Sequence, residues 1–283
     1  MLMETVRISA ENKEAFAGLL GEDLAEYTGR SCYGGIGVLD QAKNAVGVML
    51  YELLNLESVE DTQGNICFAY AQDTEAIEAM LKEYTDHIVP EKDIAETLYE
   101  LENEDKAKIF PENGFSFGEG ESNTLELTLG DLKDHKLARS SKLPGYIKST
   151  GSLSLIQYRK AINNVLLKGH KGAFEDMAYL PLRWFDTEIS SCSVSGDKAN
   201  GLFLIRRNPS GALIPALLFA YGPDFQKDLL YMINYSLRRA IDVCPPDTPL
   251  LIRMKNKSTR ALAHKLLPDH VGKKVFVGNR IEK

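Results

Sequence analysis

The tripeptide Phe-Ala-Tyr occurs twice in this chain, as Phe68-Ala69-Tyr70 and as Phe219-Ala220-Tyr221. Each copy ends an apolar run and is followed by an amphipathic helix pattern, a short apolar run and an asparagine, Asn103 in the first half and Asn256 in the second. The tripeptides lie 151 residues apart and the asparagines 153. Because the two markers keep nearly the same separation through an intervening helix and strand, they predict one fold that is present twice.

The composition is that of an ordinary soluble protein. Of the 283 residues, 44% are apolar and 26% are charged, which is enough to form two cores of typical size. The beginning of the sequence has no basic region followed by an apolar run, and nowhere do eighteen uncharged apolar residues stand together. These features predict a cytoplasmic protein without a membrane span.

The four cysteines are widely separated, and none belongs to a Cys-x-x-Cys pair. Such spacing argues against a zinc site or a redox pair, so no metal site is expected. Buried, reduced thiols are the expected state of these side chains.

Charge is unevenly distributed along the chain. Up to His135 there are 9 Lys and Arg against 29 Asp and Glu, whereas the remainder holds 24 against 11. One interpretation is electrostatic attraction between the halves, together with a preference of the second half for anions. The other is that two solvated surfaces simply differ in composition, and the sequence leaves both open.

Residues 136–152 read KLARSSKLPGYIKSTGS, which is basic and rich in Ser, Gly and Pro, and they are the predicted linker. The predicted domains are therefore 1–135, which is acidic, and 153–283, which is basic. In each, apolar periodicity indicates a helix, antiparallel strands, a central strand leading into a long helix, and then strand, helix and strand. The first helix of the first domain is predicted over Lys13–Tyr27, and residues 40–44 are a predicted turn between the strand-like runs 36–39 and 45–54. In the second domain the long helix is predicted from an apolar stripe over residues 229–241. Phe115–Leu129 is predicted to be a hairpin. The expected fold class is α+β, with a mixed, mostly antiparallel sheet flanked by helices in each domain.

Residues 103–115 read NEDKAKIFPENGF, and this stretch resembles the fourth-helix signature of the GNAT superfamily of N-acetyltransferases, N-x-x-A-x-x-x-Y-x-x-x-G-F. Asn103, Gly114 and Phe115 fall in register with it, and the stretch beginning at Asn256 resembles a second, more worn copy. The resemblance extends to the order of elements in both halves. It implies a tandem GNAT-like protein that carries an internal duplication.

The resemblance implies transfer of an acyl group from acetyl-CoA to an amine, with the cofactor where the fourth and fifth strands diverge. It also implies that the CoA pyrophosphate binds the start of the third helix, where unpaired amides and the helix dipole attract an anion. At that place residues 71–76 of the first copy have no glycine and two carboxylates, so the first domain is predicted not to bind CoA. Residues 222–227 of the second copy contain one Gly and one Lys, which makes the second domain the candidate. The predicted cofactor-binding residues are Tyr221, Gly222, Lys227, Asn256, Lys257 and Arg260.

The family usually has a tyrosine that protonates the departing thiolate. At this position the chain has Phe110 in the first copy and Ala263 in the second, and neither can donate a proton. His264 is adjacent, but a single histidine on a surface helix is more often only solvated. Glu52 and Glu188 lie on strands of the kind that carry family bases, although strand carboxylates are as often surface residues. The sequence therefore assigns no catalytic residue.

Three functions follow from these patterns. The first is an acetyl-CoA-dependent N-acetyltransferase whose acceptor is a small-molecule or peptide amine. The alternative is a catalytically degenerate GNAT-like binding or scaffold protein. Nucleic-acid binding through the basic half is the weakest, because no groove-reading or base-stacking motif accompanies the charge. No membrane partner is expected, and the sequence leaves the acceptor and the oligomeric state open.

Overall fold

A computed structural model describes residues 3–28, 30, 32–55, 62–101, 113–139, 142–168, 177, 179–254 and 257–282. Its strands are β1 (Glu4–Arg7), β2 (Tyr33–Leu39), β3 (Ala45–Asn55), β4 (Thr62–Ala71), β5 (Ile94–Leu101), β6 (Ser116–Glu121), β7 (Thr124–Thr128), β8 (Ile147–Ser149), β9 (Ser191–Ser195), β10 (Lys198–Arg207), β11 (Leu213–Ala220), β12 (Pro249–Arg253) and β13 (Lys274–Ile281). Its α-helices are α1 (Glu14–Leu20), α2 (Glu22–Ala25), α3 (Thr74–Glu83), α4 (Val89–Glu91), α5 (Leu155–Leu167), α6 (Phe225–Val243) and α7 (Lys257–Leu266). The α+β class and the two helix-flanked mixed sheets are as the sequence predicts.

The chain forms two compact units. The first comprises residues 1–123, 255–257 and 271–283, and the second comprises 124–254 and 258–270. In the first unit a seven-stranded sheet runs β1-β2-β3-β4-β5-β13-β6. In the second a six-stranded sheet runs β7-β12-β11-β10-β9-β8.

Each sheet contains a strand from the other half of the sequence. The last strand, β13, pairs on one side with β5 and on the other with β6. In the second unit β7 pairs with β12, with Leu125 opposite Ile252. The hairpin predicted for Phe115–Leu129 is therefore wrong, because its two strands join different sheets. The physical reason is that both strands find their hydrogen-bonding partners in strands remote along the chain.

This division differs from the predicted ranges of 1–135 and 153–283. Strand β8, inside the predicted linker, pairs with β9 and so belongs to the second sheet. Asn234 of α6 donates hydrogen bonds to the carbonyl oxygens of Leu137 and Arg139, which holds the start of that segment against the helix. Part of the Ser- and Gly-rich stretch is thus structured.

The redistribution of segments also reduces the charge contrast. The first unit contains 14 Lys and Arg against 27 Asp and Glu, and the second contains 19 against 13. The basic end of the chain belongs to the first unit, and the acidic residues Glu126, Asp131 and Asp134 belong to the second. The units keep opposite signs of net charge.

Apolar side chains fill both faces of each sheet. In the first unit one core contains Met80 of α3 and Tyr84, and the opposite core contains Phe16 of α1. The helix predicted over Lys13–Tyr27 is interrupted at Gly21, whose φ of 73° lies in the left-handed region and ends α1. In the second unit α6 covers one face and α5 the other.

The central strand of each unit carries a β-bulge at the corresponding place. In the first, Cys67 of β4 is the extra residue opposite the Leu50–Tyr51 step. In the second, Ala216 of β11 is the extra residue opposite the Leu204–Ile205 step. The bulges are 149 residues apart, whereas the two Phe-Ala-Tyr copies are 151 apart, so the tripeptides occupy places that differ by two residues. Tyr70 lies within β4, and Tyr221 follows β11.

Candidate functional site

The second unit contains a cleft between two parallel strands. β11 and β12 form only one bridge pair in the described part of the chain, Leu213 with Leu250. Beyond that pair, β11 continues to Ala220 with its other edge bonded to β10. The edge of β11 that faces β12 is therefore not engaged in a ladder with that strand over residues 214–220. Such an edge can accept an extended ligand with amide groups.

In the first unit the corresponding strands stay together for longer. β4 and β5 pair from Thr62 with Ile94 to Ile66 with Tyr99, and their pairing ends at the bulge residue Cys67. Only Cys67–Ala71 of β4 extends beyond the ladder. The opening between the parallel strands thus begins earlier in the second unit.

Helix α6 begins at the open end of β11 and has incompletely satisfied amides. The amides of Lys227 and Asp228 donate to the Asp224 carbonyl oxygen at 2.9 and 3.1 Å, and that of Phe225 lies 3.4 Å from the Gly222 carbonyl oxygen. Within the described ranges, no acceptor bonds the amides of Asp224 and Gln226. Asp224 is the N-cap residue, but its side chain makes no capping bond. These two amides can therefore bind an anion.

Two lysines lie at this helix start. Lys227 is exposed and pairs with Asp224 at 3.0 Å, and this hydrogen bond raises the pKa of Lys227. Lys168, at the C-terminal end of α5, places its Nζ atom 3.7 Å from the centre of the Tyr221 ring. The Tyr221 hydroxyl is buried without a hydrogen-bond partner in the described residues, and burial raises its pKa. Gly222 follows with a φ of 115°, which only glycine adopts without strain.

In the first unit a carboxylate of the chain caps the equivalent helix start. Asp73, the N-cap of α3, accepts a hydrogen bond from the Ala76 amide at 2.9 Å. Glu75 adds a second carboxylate in the first turn. A bound anion at this place would have to displace the Asp73 cap and would meet two negative charges. That the first domain does not bind CoA stays a prediction.

The predicted cofactor-binding residues are partly brought together. Tyr221, Gly222 and Lys227 lie at the junction of β11 and α6. Arg260 lies on α7 of the second unit, and Lys257 is in the short segment that groups with the first. Asn256 lies outside the described residues, as do Asn103 and Phe110 of the first copy.

The candidate acids and bases differ in environment. Ala263, at the family position of the acid, is buried, and the neighbouring His264 is exposed. Glu188 is mostly exposed and pairs with Arg239 at 2.5 Å, whereas Glu52 on β3 is only 2% exposed. None of these side chains is placed by a described contact at the cleft between β11 and β12.

Sequence reasoning missed the roles of two residues at this site, Lys168 and Asp224, and the cap that Asp73 forms at the equivalent helix start of the first unit. Lys168 precedes Tyr221 by more than fifty residues, and no local pattern connects them. Asp224 pairs with Lys227 three residues later, a spacing that is recognisable in a helix. The Asp73 cap was also detectable, because Asp before a helix is a preferred N-cap.

Three further structural features bear on function. No group of three or more His, Cys, Asp or Glu side chains in the described ranges is arranged to hold a metal ion. None of the helices seen in those ranges combines the length and apolar character needed to cross a bilayer. None of the four cysteines, all of which lie in the described ranges, forms a disulfide; Cys67 is partly exposed and the other three are buried.

The fold matches solved GNAT structures over the whole chain. A tandem GNAT protein from the clavulanic acid biosynthesis pathway has a TM-score of 0.60 and 8% identity, covering 100% of this chain and 99% of its own. A probable N-acyltransferase of unknown function from Enterococcus faecalis V583 has a TM-score of 0.53 and 12% identity, covering 99% and 73%. A GCN5-related N-acetyltransferase from Anabaena variabilis has a TM-score of 0.52 and 12% identity, covering 100% and 73%.

No protein-family model matches the chain. No curated protein matches it either. At identities this low, the structural likeness establishes the fold and nothing finer. The chain therefore has the fold of a tandem GNAT protein, which is the fold that the resemblance of residues 103–115 and the order of elements predict.

Proposed function

We propose that this protein is an N-acetyltransferase that binds acetyl-CoA in its second unit. The observation that carries the proposal is the parting of β11 and β12 directly after Leu213, next to a helix start whose amides of Asp224 and Gln226 are available. An unpaired strand edge followed by an anion-binding helix terminus suits a ligand that has an amide-containing arm and a phosphate end.

The residues at the junction fit the phosphate end of such a cofactor. The two amides would donate hydrogen bonds to phosphate oxygens, and Lys168 would add positive charge beside Tyr221. Lys227 would exchange its bond to Asp224 for one to phosphate. Both side chains of that pair are mostly exposed, at 70% and 62%, so the exchange costs little. Arg260 stays a proposed contact further along the cofactor.

Acetyl-CoA, when bound, supplies the thioester that an amine attacks. The chain itself would hold this cofactor along β11 and orient its thioester toward the amine. Holding two reactants in the right geometry lowers the barrier of a bimolecular transfer. The acceptor is proposed to be a small-molecule or peptide amine. We assign no proton transfer to Ala263, His264 or Glu188.

A thermal-shift titration with CoA and with acetyl-CoA tests the proposal. A ligand at about a hundred times its dissociation constant adds about 2.7 kcal/mol to the free energy of unfolding. Lys227→Glu should abolish this stabilisation, because it removes a positive charge and adds a second carboxylate, beside Asp224, at the proposed phosphate position. Lys160→Glu on the exposed face of α5 is the matched control and should keep the full shift.

Transfer is then measured as the release of free CoA thiol with a panel of amines. Thiol release with at least one amine, lost in Lys227→Glu and kept in Lys160→Glu, supports the acetyltransferase. Absence of any shift at millimolar CoA contradicts cofactor binding and would favour the alternative, a catalytically degenerate scaffold. A thermal shift with CoA but no acetyl transfer to any amine would support the proposed binding site and contradict the proposed catalytic activity.

A further inference from the structure

The last strand of the chain occupies an interior place in the first sheet. We call residues 271–282 the C-terminal strap. Its strand β13 pairs with β5 from Phe276 to Ile281, and with β6 from Lys274 to Asn279. Both edges of β13 are thus engaged in antiparallel ladders. Without the strap, β5 and β6 would each lose a neighbour, and β6 would have no partner in the sheet.

A buried polar network fastens the end of the strap. Glu282 accepts hydrogen bonds from the Thr97 hydroxyl on β5 and from Arg280 Nε, the latter at 2.8 Å. The Tyr84 hydroxyl lies 3.2 Å from Thr97 Oγ1 and donates to it, because Thr97 gives its own proton to Glu282. The Arg280 and Glu282 side chains are only 9% and 5% exposed. Burial of both charges makes their mutual pairing energetically necessary.

Arg280 also contacts the segment that leads into β6. Its Nη1 donates to the Asn113 carbonyl oxygen at 3.1 Å, and its guanidinium carbon lies 4.7 Å from the centre of the Phe115 ring. A Cβ atom on Gly114 would lie 3.4 Å from Arg280 Cδ. Gly114 adopts a φ of 80°, so the backbone here turns in a conformation that favours glycine. One side chain of the strap therefore contacts Asn113 and Phe115, on either side of Gly114.

We infer that the C-terminal strap acts as a latch: it keeps β5 and β6 paired with β13 and residues 113–115 packed against Arg280. The buried Arg280–Glu282 pair determines whether these contacts stay formed. The first unit acquires its complete sheet only from the end of the chain. Loosening the pair opens β5 and β6 together, although they lie more than 150 residues before it in sequence. Strand β12 and residues 258–266 of α7 precede the strap in sequence but belong to the second unit, so they should stay protected.

Hydrogen exchange of the full chain, followed by mass spectrometry, tests the inference. Arg280→Met leaves Glu282 buried without its charged partner, which is strongly destabilising. We expect amide exchange at least tenfold faster in residues 94–101 and 113–121, with residues 191–220 unchanged. Ile281→Thr is the matched control, since Ile281 lies between the paired residues but is 67% exposed. It should leave exchange in both segments unaltered.

Thr97→Val provides a milder perturbation, because it removes the hydroxyl that joins Tyr84 to Glu282 but keeps the Arg280–Glu282 pair, so no buried charge is left without its partner. If Arg280→Met unfolds the whole first unit, faster exchange in residues 94–101 and 113–121 of Thr97→Val supports the latch. Unchanged exchange in both variants would overturn it. Faster exchange in residues 249–266 with 94–101 unaltered would also overturn it, since the end of the chain would then act on its neighbours in sequence.

Discussion

Replacing Gly64 by alanine should destabilise the first unit through a single atom of Tyr84. A Cβ atom at position 64 would lie 1.9 Å from the Tyr84 hydroxyl oxygen. Tyr84 has no room to retreat, because it is fully buried and its ring packs edge-on to Tyr51 with 5.2 Å between ring centres. Its hydroxyl also bonds Thr97. Either the Tyr84 side chain or strand β4 must therefore shift.

The expected cost combines two effects. Overpacking of a core costs about 1–3 kcal/mol, and loss of the hydroxyl's hydrogen bond to Thr97 adds about 1 kcal/mol. The free energy of unfolding of the first unit should therefore fall by about 2–4 kcal/mol in Gly64→Ala. Tyr84→Phe alone should cost about 1 kcal/mol, since it removes the hydroxyl but keeps the ring.

The double variant gives the decisive comparison. With the hydroxyl gone, the nearest remaining atoms to the new Cβ are Ile94 Cδ1 and the ring carbon Cζ, both at 3.3 Å. These distances are tight but need only a small adjustment, so Gly64→Ala/Tyr84→Phe should be more stable than Gly64→Ala alone. The coupling free energy should be about 1–3 kcal/mol.

The free energies of unfolding of the parent protein, the two single variants and the double variant are measured by urea denaturation. Hydrogen exchange assigns each transition to a unit, because a protein of two units need not unfold in one step. Strictly additive costs, or a neutral Gly64→Ala, would refute the reasoning. Either result would mean that β4 yields at this position without displacing Tyr84.

Three other predictions concern the second unit. Leu125→Ala on β7 should lower the free energy of unfolding of this unit by about 2–5 kcal/mol, because Leu125 is fully buried. Amide hydrogen exchange should become faster in residues 249–253, which pair with β7. An effect confined to the first unit would contradict the assignment of β7 to the second sheet. Asp224→Asn removes a negative charge at the proposed phosphate position and should tighten CoA binding several-fold by calorimetry; unchanged or weaker binding would place the phosphate elsewhere. Burial lowers the pKa of His135 below its ordinary 6.5, so the unfolded chain binds more protons than the folded chain as the pH falls. The stability contributed by His135 is therefore complete above pH about 6.5 and is lost as the pH falls through the lowered pKa of the folded state. His135→Asn, whose carbonyl oxygen can still accept from the Leu137 amide, should have a flatter dependence of its urea midpoint between pH 5 and 7; an equally steep dependence would assign the titration to another group.

Much of the secondary structure follows from local patterns. The apolar stripe of residues 229–241 predicted a helix that the structure extends to Phe225–Val243. Two strand-like runs on either side of a predicted turn at residues 40–44 likewise predicted a hairpin, which the structure has as the β2–β3 pair. These elements are predictable because their periodicity reports which face is buried. The break at Gly21 was not anticipated, since a single glycine is tolerated in many helices.

The candidate site was predicted less completely. The junction at Tyr221 and Gly222 could be read from the end of an apolar run followed by a helix, and from a glycine between them. Lys168 could not, because its approach to the Tyr221 ring depends on how α5 packs against the sheet. The two-residue offset between the Phe-Ala-Tyr copies was also hidden, since a β-bulge leaves no unambiguous mark in a single sequence.

The sequence by itself determined the class of fold, the duplicated order of elements and the absence of glycine at the first helix start. These are properties of neighbouring residues, and apolar periodicity, capping and turn chemistry act over a few positions. Only the tertiary structure decided which strands pair. β7 and β13 are attached to sheets that the linear order does not suggest, because hydrogen bonds between strands depend on proximity in space. The parting of β11 from β12, on which the proposed cofactor site depends, is decided in the same way.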